Sequence, residues 1–164
     1  MLNPAHVHLL LNHIPVMGVL FGLLVLLIGF YWKNDQVKRA SFVVLVVAAL
    51  AAGVVYLNGE SAEEVVEGMP GVTETVIEPH ESAALWALIL TALTGVLAIL
   101  GLYAGRGARR LSTPLTMAIL LLVLISGVAM ARTANLGGKI RHTEIRGASA
   151  TTDTMQAETE VEDD

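Results

Sequence analysis

The residues best able to do chemistry in this 164-residue chain are its five histidines and the glutamates near them. "HVHLLLNHIP", residues 6–15, holds His6, His8 and His13, while His80 stands in "EPHE" and His142 in "KIRHTEI". Neutral imidazole is a usual axial ligand of haem iron and a good ligand for zinc. A b-type haem held by two histidines takes one from each of two facing helices. His8, Glu60, Glu64, His80 and Glu81 together offer the mixed N/O donors that zinc, iron or manganese accept. The H-E-x-x-H pattern of a zinc protease is not completed, because Ala84 stands where the second His is needed after His80-Glu81. With no Cys in the chain, disulfides, thiolate metal sites, iron–sulfur ligation and covalent c-type haem are excluded. The plainest role for any one of these histidines is to cap a helix or solvate a membrane rim.

The elements that must position them are helices in lipid. The chain is 54% hydrophobic and 15% charged, against about 25% charged in a soluble domain. Four apolar stretches, residues 13–32, 40–57, 83–103 and 115–131, contain no Lys, Arg, Asp or Glu. At about 1.5 Å per residue each reaches roughly 25–32 Å, close to the hydrocarbon thickness of a bilayer. Tyr31, Trp32 and Tyr103 at one end of the spans, and Tyr56 and Trp86 near the other, suit the water–lipid interfaces. The N-terminus has no basic stretch or cleavage pattern of a signal peptide, so the first span is expected to be retained.

The expected fold is therefore all-α: an integral membrane four-helix bundle, up-down-up-down, over residues 1–146. The 58–80 connection is acidic and carries a capping-box pattern, Ser61 with Glu64, which predicts a short surface helix over residues 62–67. Gly68, Pro70 and Gly71 should end it. Residues 147–164 read as a disordered acidic tail. Lys33, Lys38, Arg39, Arg106, Arg109 and Arg110 fall in the two loops on one side, whereas residues 1–12 and 58–80 hold no Lys or Arg. The positive-inside rule then places both termini outside the cytoplasm, in a bacterial inner membrane, although Arg132, Lys139, Arg141 and Arg146 oppose it. The partner this predicts is the lipid bilayer, not a nucleic acid.

In that bundle all five histidines share one membrane face with the acidic loop. His13 lies 18 residues from Tyr31, and both His8 and His80 lie 23 from the aromatic end of their helices, Tyr31 and Tyr103. The five-residue offset between His13 and His80 is about 7 Å along the axis, while His8 and His80 are level. His13 and His80, the deepest candidate and one from the diagonal helix, are the expected haem or metal ligands, with His8 or His142 as substitutes or ligands of a second site. Arg132 is placed to neutralise a carboxylate or a haem propionate. Small residues recur at Gly18, Gly22 and Gly29, across Ala48–Gly53, and at Ala84, Ala87, Thr91, Thr94, Gly95 and Ala98. They allow close helix approach, and equally a smooth wall for a flat macrocycle.

"HVHLLLNHIPV", "LNGESAEEVVE", "EPHE" and "LGGKIRHTEI" resemble the recurring blocks of small bacterial four-helix inner-membrane proteins without an assigned activity. They are also similar to a broader domain-of-unknown-function group with an H-F-P block in its first helix and L-G-G at the end of its last. Here those blocks read His13-Ile14-Pro15 and Leu136-Gly137-Gly138, and the likeness covers roughly residues 5 to 146. The resemblance implies a b-type haem or a role beside electron transport, and points to His13, His80, Glu81 and His142.

The function expected from the sequence is a small b-type cytochrome-like or redox-accessory membrane protein that exchanges electrons with a quinone or an extracytoplasmic carrier. Its rivals are a cofactor-free accessory subunit of a larger respiratory or photosynthetic complex, and a metal-dependent hydrolase or metal-handling protein. No catalytic residue is assigned.

Overall fold

The computed structural model describes residues 3–107 and 109–146. The tail expected to be disordered lies outside them. The described residues form helices α1 (Pro4–Leu11), α2 (His13–Tyr31), α3 (Asp35–Leu57), α4 (Gly59–Val66), α5 (Glu74–Ala104) and α6 (Thr113–Arg141), then a 3-10 turn at Thr143–Ile145, with no strand. Four helical segments, Pro4–Tyr31, Asp35–Leu57, Glu74–Ala104 and Thr113–Arg141, are long and apolar enough to cross a membrane. The chain is in this sense a multi-pass membrane protein.

Local chemistry explains the helix ends. Asn3 accepts from the amides of Ala5 and His6 at 2.9 and 3.3 Å, and Pro4 follows at a first-turn position where its missing N–H does no harm. Pro15 has no N–H for the Leu11 carbonyl and its ring crowds that oxygen, so the helix is interrupted at Asn12. Asn34 opens α3 by accepting from Gln36 and Val37. The capping box expected at Ser61 and Glu64 does not form, because α4 starts at Gly59, directly after α3, and Ser61 lies within its first turn. Gly68 and Gly71 then take φ of +78° and +74°, which turns the chain out of α4 as expected. Three spans run beyond their apolar cores: α3 begins at Asp35, α5 begins at Glu74 and α6 continues to Arg141. Arg146 closes that end, donating from Nε to the Lys139 carbonyl, from Nη2 to that of Ile140 and from Nη1 to that of Gly71. One guanidinium thus satisfies orphan carbonyls of α6 and fastens the loop after α4 to it.

Helix α2 packs on α3 and α6, and α5 packs on α3 and α6. Small residues set the seams. A Cβ on Gly18 would stand 2.8 Å from that of Ala48, one on Gly95 2.6 Å from that of Ala49, and one on Gly101 2.7 Å from the Phe42 ring. The outward faces are large and apolar, as lipid requires: Leu50 is 68% exposed and Val128 72%. The interior holds Leu26, Phe42, Leu45, Ile119 and Val123 together with Ser41, Thr91, Thr94, Thr116 and Ser126.

Those hydroxyls are mostly bonded. Ser41 Oγ donates to the Gly22 carbonyl at 2.7 Å, joining α3 to α2, and Thr94 Oγ1 meets Ser126 Oγ at 3.0 Å between α5 and α6. A double-mutant cycle of Thr94→Val and Ser126→Ala, read from unfolding in detergent, should give a coupling of about 0.6 kcal/mol, the mean for hydrogen bonds between membrane helices. A coupling of zero would make the pair incidental to helix packing.

Candidate functional site

The histidine face is assembled from α1, α4, α5 and α6, with the end of α3 behind it. Helix α4 lies against α1 through a buried Ala62, so the acidic loop covers the N-terminal helix. His8, on α1, is half-buried beside the backbone of Val55, and within electrostatic reach of His80 on α5. Its Nδ1 is buried with no hydrogen-bond partner. A buried polar atom left unpaired is uncommon and calls for a reason, such as a ligand.

His80 is held from α6. Its Nδ1 lies 3.1 Å from the Thr133 carbonyl. A carbonyl only accepts, so Nδ1 carries the proton and Nε2 keeps its lone pair. The contact depends on Gly137, one helical turn beyond Thr133. A Cβ on Gly137 would stand 2.9 Å from His80 Cε1 and 3.1 Å from Nδ1. Without a side chain there, the imidazole reaches a carbonyl that a larger residue would cover. A backbone carbonyl on Nδ1–H, with Nε2 left open, is the outer-shell arrangement that orients a ligating histidine. Gly137→Ala should therefore push the ring off Thr133 and weaken any group bound on Nε2 by about 10–100-fold, the usual effect of losing such a support. Titration of the apoprotein with haemin compares the two proteins.

The other histidines are used locally. His13, expected to be the deepest, is exposed, and its Nδ1–H donates to the Leu9 carbonyl one turn back at 2.8 Å. His6 is exposed at the start of α1. His142 caps α6, and its exposed Nδ1 pairs with Glu144 Oε1 at 2.8 Å. His8 is thus brought to His80, whereas His13 and His142 are engaged with near neighbours in sequence. The nearness of His8 to His80 was legible as their common level, although His13 was the residue expected opposite His80. Thr133 and Gly137 were missed as a pair; the one available signal was two adjacent glycines inside a helix, which usually mark a close packing contact.

A carboxyl pair lies on the same face. Glu63 on α4 hydrogen-bonds the carboxyl of Glu81 on α5, and that bond first, then partial burial, then the charges of Glu81, Glu60 and Glu74, raises its pKa above the ordinary carboxylate value. Two carboxyls can share one bond only through a proton. The sign follows: protonated Glu63 favours the folded contact, and that advantage fades as pH rises from about 4.5, its unfolded value, through the raised one. Glu63→Gln should match the wild type in melting temperature below that range and exceed it at pH 8. An equal difference at both pH values would show that the pair does not share a proton.

Among the described residues, no group of three or more His, Asp or Glu side chains is placed to hold a metal ion. Glu60 and Glu64, expected as possible partners of His8 and His80 in a mixed N/O site, are both exposed. The donor set that the fold brings together is a pair of imidazoles. No protein family, curated protein or solved structure matches the chain.

Proposed function

We propose that this protein is a small b-type cytochrome-like redox protein of the bacterial inner membrane, with His8 and His80 as the axial ligands of one haem. The observation that carries the reading is that two imidazoles from different helices stand within electrostatic reach of each other, His8 beside the Val55 backbone with its buried Nδ1 unpartnered and His80 fixed by Thr133 with its Nε2 open. A bis-histidine haem takes two protein ligands, and this face offers two imidazoles. A zinc centre needs three or four, which favours haem over a hydrolase. In this reading the four long helices form an up-down-up-down bundle with both termini outside, and the chain belongs with the H-F-P and L-G-G proteins it resembles.

The residues fit such a group in their chemistry. His8 would supply one imidazole, and its buried nitrogen would gain the partner it lacks. His80 would supply the other, with Thr133 and Gly137 holding the ring's tautomer and orientation. Bound haem would supply reversible one-electron transfer, with a quinone or an extracytoplasmic carrier as the exchange partner. The Glu63–Glu81 pair on the same face can hold or release a proton as the local charge changes.

The test is a reduced-minus-oxidised visible spectrum of the protein purified in mild detergent, with iron analysis on the same sample. A sharp reduced α-band with about one iron per chain supports the reading. A featureless spectrum, after haemin has also been offered to the apoprotein, rejects it and leaves an accessory subunit as the better account.

A further inference from the structure

The end of the molecule opposite the histidines carries a second feature. A groove of about 280 Å³ runs along the seam between α3 and α5. Its walls are Val43 and Val47 on one helix and Ile99 and Leu102 on the other, and Tyr103 and Arg106 close it toward the Lys/Arg-rich loops. Val43, Val47 and Ile99 are each just over half exposed, so the groove opens sideways to the hydrocarbon. The Arg106 guanidinium lies 4.0 Å from the centroid of the Tyr103 ring, at the level where aromatic residues meet lipid headgroups.

The charge around that polar end is one-sided. Arg106 is exposed and forms no ion pair among the described residues. Arg39 approaches Gly105, the residue before Arg106: a Cβ on that glycine would stand 3.5 Å from its Nη2. Arg39 Nη2 donates to the Arg109 carbonyl at 2.7 Å, while its Nε is buried without a partner. The nearby acid, Asp35, is taken up by Lys38 and the Leu111 amide. An apolar channel open to lipid, ending at Arg106 with Arg39 near the adjoining Gly105, is complementary to one kind of molecule.

We infer that this groove is a binding site for an anionic phospholipid, with an acyl chain between α3 and α5 and the headgroup phosphate on Arg106 and Arg39. Basic pockets between helices at the charged membrane face recognise such lipids by these two contacts together. The site is independent of the histidine face and stands whether or not haem binds there.

Native mass spectrometry of the full chain in detergent tests it, with phosphatidylglycerol and phosphatidylcholine of identical chains as probes and glycerol 3-phosphate as the competing headgroup. The wild type should retain one phosphatidylglycerol in preference to phosphatidylcholine. Arg106→Gln should cut that preference about fivefold, the weight of one cation at an anionic surface. Val47→Trp, which fills the groove, should reduce retention of both lipids. Arg110→Gln, on an exposed arginine outside the groove, should leave the preference unchanged. The inference is overturned if Arg106→Gln binds as the wild type does, or if Arg110→Gln loses as much. Displacement of the lipid by equimolar glycerol 3-phosphate would overturn it too, since the groove would then contribute nothing.

Discussion

His80→Ala and His8→Ala should each abolish haem retention, and His13→Ala should leave it intact. In the proposed site each of the first two would remove one of the two axial nitrogens, and the more weakly held haem would wash out on purification. His13 is exposed and spends its Nδ1–H on the Leu9 carbonyl, so its removal loses only a surface hydrogen bond within one helix. The three variants also separate this account from the one suggested by depth alone, in which His13 faces His80. If haem is lost with His13→Ala and kept with His8→Ala, the ligand pair is the deeper one. Far-UV circular dichroism on the same samples confirms that the helices persist, and His80→Gln keeps much of the ring's packing while removing the ligand.

Phe42→Ala should destabilise the fold by about 3–5 kcal/mol, the range for emptying a fully buried phenylalanine site. The Phe42 side chain is 0% exposed and sits over Gly101, with Ile119 beside it, so it fills the space between α3, α5 and α6. Those neighbours have little room to collapse, since the small residues along α3 and α5 are already at closest approach. Phe21→Ala is the matched control. Phe21 is 51% exposed on the outer face, where lipid surrounds it before and after unfolding, and its loss should change little. Unfolding in mixed micelles measures both. Equal losses would mean that Phe42 is not buried in the membrane-embedded protein.

The four spans were legible because uncharged apolar runs of this length have one common use, and all four helices cover the expected cores. Their ends were not. The first turns of α5, "ETVIEPHES", and the last of α6, "RTANLGGKIR", are polar, and hydropathy stops counting where helical hydrogen bonding continues into water. Ser61 and Glu64 showed a valid local cap, but α4 follows α3 so closely, and leans so fully on α1, that the helix starts earlier. Tertiary contact outweighed a cap worth about 1 kcal/mol.

At the site, height was readable and direction was not. Counting from Tyr31 and Tyr103 put His8 level with His80, and the fold leaves the two within electrostatic reach. Which way each ring points depends on what packs against its helix: α4 lies on α1, and α6 offers the Thr133 carbonyl to His80. The contact between His80, Thr133 and Gly137 joins residues more than fifty positions apart, through a backbone atom that no side-chain pattern marks.

Ligation by His8 and His80 is read most directly from electron paramagnetic resonance of the oxidised, haem-loaded protein. Two imidazoles on ferric iron give a low-spin signal. That signal is expected in the wild type and in His13→Ala, and is expected to disappear in His8→Ala and His80→Ala. A high-spin ferric signal in the wild type, or a low-spin signal that survives the loss of His80, would contradict it.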